Sequence, residues 1–77
     1  MMGAFVFIQI GAAQDMSALH MALHGVAGVK TVHFLAGPTD VVAFAEAADA
    51  QGLMNVIGGI RGVAGVASTD TRMVLPV

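Results

Sequence analysis

The sequence predicts an α+β fold, a ferredoxin-like βαββαβ arrangement whose four strands form one antiparallel sheet. Three observations carry that prediction. The pentapeptide Gly-Val-Ala-Gly-Val occurs at Gly25–Val29 and again at Gly62–Val66, an offset of 37 residues (from 25 to 62) in a chain of 77. Each copy follows apolar residues at helical spacing and precedes a stretch of strand character, so one strand-helix-strand unit is used twice. A turn signal, Gly37-Pro38-Thr39-Asp40, sits where the two units meet. Right-handed crossovers in each half then leave both helices on one face of the sheet.

Each element has its own local reason. Ala4–Ile10 is apolar at both parities, Phe5 and Phe7 on one face and Val6, Ile8 and Ile10 on the other, as in a strand buried on both sides. Gly11–Gln14 reads as a turn, and Asp15 or Ser17 can cap a helix whose apolar positions are Met16, Leu19, Leu23 and Val26. Gly25 and Gly28 end that helix. Val29–Leu35 is a more mixed strand carrying Lys30, Thr31 and His33, which suits a sheet edge. After the turn, with Pro38 at its first central position, Val41–Glu46 returns as an apolar third strand.

Asp49 can cap the second helix, whose buried face is Leu53, Val56, Ile57 and Ile60. Gly52, Gly58 and Gly59 weaken this helix intrinsically, so packing must hold it. The last strand, Ala67–Leu75, puts Ala67, Thr69, Thr71, Met73 and Leu75 on one face and Ser68, Asp70, Arg72 and Val74 on the other, and Pro76 ends it. Strands one and three are the most apolar and are expected at the centre. Met16, Met21, Met54 and Met73 sit at core spacing and are expected to fill gaps. The 37-residue offset also places Phe7 on Phe44, Leu19 on Val56 and Leu23 on Ile60, so the repeat extends beyond the pentapeptide.

Composition then constrains the setting. The 77 residues make one domain, and a domain this small typically buries only about 60% of its unfolded surface. With 57% hydrophobic and 10% charged residues, the chain has more apolar material than such an interior hides. A membrane span needs roughly 18 apolar residues in a row, and Gln9, Gln14, Asp15, His20 and His24 interrupt the first half, as Asp40, Glu46, Asp49, Gln51, Asn55 and Arg61 do the second. No basic run precedes Ala4–Ile8, which speaks against a secretory signal, so a cytoplasmic location away from membranes is expected. The surplus is expected in an obligate oligomer. The helices cover one sheet face, and the other face, bearing either Phe5 and Phe7 or Val6, Ile8 and Ile10, would be buried by sheet-to-sheet pairing in a dimeric α/β barrel.

Several chemistries are excluded. The absence of cysteine removes disulfides, thiolate metal sites and thiol catalysis. A formal charge of −2, with Lys30, Arg61 and Arg72 as the permanent cations, gives no footprint for direct nucleic-acid binding. His20 and His24 are spaced four apart, as metal ligands can be, but no helical Glu or downstream third ligand accompanies them, so they read as helix-boundary residues. His33 stands alone on a mixed strand. The repeated glycines follow helices, whereas phosphate cradles precede them. No nucleophile with a base stands out, so no enzyme, cofactor or metal is expected. One set could hold a free amino acid: Asp40 at the turn, and Thr69 and Thr71 alternating onto one face of the last strand. A carboxylate accepts from an ammonium, while hydroxyls and turn amides donate to a carboxylate.

These residues resemble a known pattern. The helix ending in Gly25-Val26-Ala27-Gly28-Val29, the hairpin Ala36-Gly37-Pro38-Thr39-Asp40 and the stretch Gly65-Val66-Ala67-Ser68-Thr69-Asp70-Thr71 resemble the effector-binding domain of the Lrp/AsnC regulators, here without a helix-turn-helix. The resemblance implies sheet-paired homodimers that assemble into rings, commonly octameric, with amino-acid effectors between subunits. It implies that Gly37 and Asp40 line that site from the hairpin, with Thr69 and Thr71 from the last strand. A related reading is that the module co-assembles with a full-length Lrp/AsnC regulator and tunes its DNA binding. The chain departs from the family's Gly-x-aromatic-Asp motif at Thr39, where Tyr or Phe is usual. Two other readings remain open: a small dimeric α/β-barrel enzyme using His33, and a purely structural ring-former.

Overall fold

Backbone hydrogen bonding lays out six elements in a computed structural model of the chain, which describes residues 1–11 and 15–76. They run β1 (Met2–Ile10), α1 (Met16–His24), β2 (Val29–Phe34), β3 (Val41–Ala47), α2 (Ala50–Arg61) and β4 (Val66–Met73). The strands form one antiparallel sheet in the order β2-β3-β1-β4, with the apolar strands β1 and β3 central and the mixed β2 at an edge, as their patterns require. This is the ferredoxin-like fold. No described helix is long and apolar enough to cross a membrane.

Pairing settles which face of β1 is covered. Ala4, Val6 and Ile8 are buried beneath the helices together with Val41, Ala43 and Ala45 of β3, and Leu19, Leu23, Leu53, Val56 and Ile60 close this core from above. Phe5 and Phe7 therefore take the open face, where Phe5 stands opposite Phe44 with ring centroids 5.0 Å apart and remains 45% exposed.

The two halves repeat closely in their chain reversals. Gly25 and Gly62 cap the helices, and their N–H groups donate to Met21 and Leu23 oxygens in one half and to Gly58 and Ile60 oxygens in the other. Gly28 and Gly65 then adopt φ of 95° and 99°, a region that favours glycine because it has no Cβ. A Cβ on Gly28 would overlap a Val56 methyl and stand 3.0 Å from the Glu46 carbonyl oxygen, so this position is tight as well as left-handed. Asp15 and Asp49 are the N-caps, accepting from Ser17 and Ala18 and from Gly52 respectively.

Two local expectations need correction. The last strand stops at Met73 rather than Leu75. The Val74 N–H still donates to the Gly3 oxygen (2.9 Å), but β1 has almost run out there and Leu75 is exposed. The methionines are not core fillers: Met16, Met21, Met54 and Met73 are all exposed, Met21 by 74%. Met21 lies two residues from both Leu19 and Leu23, about 200° around the helix, so it faces away from the buried stripe. Met73 ends an edge strand beyond the cover of the helices. Of the expected turn at Gly11–Gln14, residues 12–14 lie outside the described residues.

Candidate functional site at the hairpin end of the open sheet

Two side-chain hydrogen bonds fasten the β2–β3 turn to the end of β1. The Gln9 Nε2 amide donates to the Pro38 oxygen (2.7 Å), and the Ile10 N–H donates to Asp40 Oδ2 (2.8 Å). The need for the second bond follows from register. β3 begins at Val41, opposite Ile8, so the β3 ladder supplies no acceptor beside Ile10, and the carboxylate one residue before the strand takes that place. The Leu35 N–H donates to the Asp40 carbonyl oxygen (2.8 Å), closing the hairpin itself.

Beside this turn the open face holds a cleft of about 260 Å³. Phe7 forms its apolar wall, and Gln9, Thr39, Ser68, Thr69, Asp70 and Arg72 supply polar ones. The Arg72 guanidinium donates to Asp70 Oδ2 at 3.0 Å and stands 5.6 Å from the Phe7 ring centroid. Both charged side chains are well exposed, so the pair contributes little to stability and can exchange partners. Chemically, the cleft offers a cation for a carboxylate, an anion for an ammonium, and hydroxyls beside both.

The four residues singled out from sequence are distributed around this end of the sheet rather than converged on one point. Gly37 is exposed at the turn, with open space around its Cα. Asp40 is half-buried and engaged with Ile10. Thr69 and Thr71 pair with Ile8 and Val6, which puts them on the helix side of β4, whereas Asp70 and Arg72 pair with Phe7 and Phe5 on the open side. Of the four, Thr69 borders the cleft. Sequence reasoning passed over Gln9, Asp70 and Arg72. The opposite charges two apart on β4 were a visible signal, but nothing local places them beside Phe7. His33 is exposed on the open face opposite Val42, and no group of three His, Cys, Asp or Glu side chains gathers as a metal site among the described residues.

The chain matches the model of the Lrp/AsnC ligand binding domain over residues 3–76. It belongs to that family. A search of curated proteins finds no match. Among solved structures, TTHA0845 from Thermus thermophilus is similar with a TM-score of 0.86 and 31% identity, over 100% of this chain and 96% of that one. AsnC of Escherichia coli is similar with a TM-score of 0.84 and 23% identity, over 99% of this chain and 53% of that one. The feast or famine regulatory protein Rv3291c of Mycobacterium tuberculosis, solved as a complex with L-methionine, is similar with a TM-score of 0.82 and 23% identity, over 100% and 52%. The chain thus spans nearly all of the Thermus protein and about half of each regulator. This Lrp/AsnC domain is related to regulators and shares their βαββαβ fold.

Proposed function

We propose that the chain is an effector-binding and oligomerisation module that takes a free amino acid or similar small zwitterion and makes or breaks no bond. The observation that carries this reading is the family match across residues 3–76. The L-methionine held by structural neighbours supports the ligand class. The site assigned is the hairpin end of the sheet. Gly37 and Asp40 set the shape of the turn backbone, and Thr69 and Thr71 stand on β4, across β1 from the hairpin, with Thr69 bordering the cleft.

A single chain leaves this end open, so a neighbouring subunit is needed to enclose a ligand. The aromatics of the open face, Phe5 exposed and Phe7 and Phe44 half-buried, support homodimers paired through their sheets, with dimers joining into a ring. The chain carries few cations, and co-assembly with a full-length Lrp/AsnC regulator is the route from this module to DNA that this reading proposes. A thermal-shift screen against the twenty amino acids tests the reading. A ligand at 100 times its dissociation constant stabilises by about 2.7 kcal/mol, several degrees for a domain this small. Calorimetry on Asp40→Ala should then show binding lost with the fold retained. A flat response to all twenty would favour the structural ring-former and point to Thr39 as the reason.

A further inference from the structure

We propose that α1 carries a binding site for monovalent copper, formed by the imidazoles of His20 and His24 and the thioether of Met16. The separation of the two rings falls in the range a shared metal requires. Their centroids are 4.7 Å apart and the planes are tilted by 57°. A metal about 2.0–2.1 Å from a nitrogen of each ring lies roughly 3 Å from each ring centre, so two rings sharing it stand about 4.5 Å apart at a right angle and about 5.5 Å apart at the trigonal angle, and a small rotation of the exposed His24 ring spans that range. The helix backbone fixes the i, i+4 relation, and His20, half-buried with its centroid 5.9 Å from the Phe34 ring, has its rotation limited by that neighbour.

Met16 supplies the third donor. It lies one turn before His20, where i, i+4 side chains start about 5–6 Å apart at Cβ. It borders a surface cavity of about 450 Å³ with Ser17, His20, Met21 and Phe34, and His24 stands one turn beyond that lining. Packing does not account for it, since it is 51% exposed. Two imidazoles and one thioether leave zinc one ligand short of its tetrahedral set, whereas the soft sulfur selects the cuprous ion. Electrostatics agree: α1 has no Lys or Arg, and His24 occupies its last turn, where helix carbonyls present partial negative charge. The site lies on the helix side of the sheet, away from Phe5 and Phe7, and is independent of the amino-acid reading.

Anaerobic titration of the full chain with cuprous ion buffered by bathocuproine disulfonate tests the proposal. The chain should withdraw one equivalent of copper from the chelator, with the His20 and His24 ring-proton resonances shifting and those of His33, on the opposite sheet face, unmoved. His24→Gln, at an exposed position, should keep the helical circular dichroism and weaken binding at least tenfold. Met16→Leu should weaken it severalfold. Failure to withdraw copper, or affinity unchanged in His24→Gln, would overturn the site, and affinity unchanged in Met16→Leu would overturn this ligand set.

Discussion

Helices α1 and α2 are built on one template and are held in place by different physics. Both start at an aspartate cap, Asp15 or Asp49, and both end at the first glycine of the repeated pentapeptide. Helix α1 is nine residues long, buries only Leu19 and Leu23, has its main packing against β2, and is rich in strong helix formers. Helix α2 is twelve residues long, buries Leu53, Val56 and Ile60, and lies across β3, β1 and β4 although three glycines interrupt it. Packing carries α2 and local propensity carries more of α1. A duplicated fold therefore need not distribute its stability evenly, and the helix with the lighter core duty keeps surface free for other chemistry.

The largest effect should come from removing an anchor of the packed helix. Ile60→Ala should cost about 2–5 kcal/mol in urea unfolding, and more than Leu19→Ala in α1. Equal losses would break the comparison. Gly28→Ala comes next, at about 2 kcal/mol or more, because the new methyl must take a left-handed backbone and overlap Val56 of α2. Cap removal should cost about 1 kcal/mol at either Asp15→Ala or Asp49→Ala. Amide exchange should show first-turn fraying spreading farther into α2, whose residues have the poorer propensity. The smallest effect has the opposite sign. Gly58→Ala adds a methyl where nothing lies within 4 Å and should stabilise by about 0.5–1 kcal/mol, seen as a rise in the urea midpoint.

What could be read from sequence was what depends on neighbours in the chain. The Asp caps, the glycine reversals and the central places of β1 and β3 follow from short patterns and the 37-residue repeat. Which of Phe5 and Val6 is covered could not be read, because β1 is apolar at both parities and only the seating of the helices decides. The methionines misled because apolar character was counted without helix phase. The end of β4 depends on where β1 begins, some seventy positions earlier in the chain. At the candidate site, Asp40 and the two threonines were visible as chemistry. That Asp40 faces Ile10, and that Arg72 comes to lie by Phe7, are products of pairing between distant strands.

The fastening of the turn also has a kinetic side. Its two bonds join residues 29 and 30 apart in sequence, so the turn cannot reach its final shape until β1 and β3 have met. The fastening of the turn is then a late arrival in folding and an early one to loosen. The Ile10 amide, protected by a side chain rather than by a strand on that side, should exchange with solvent deuterium when the turn opens and not only when the sheet does. The end of the central strand thus senses the turn: whatever stills the turn also quiets Ile10.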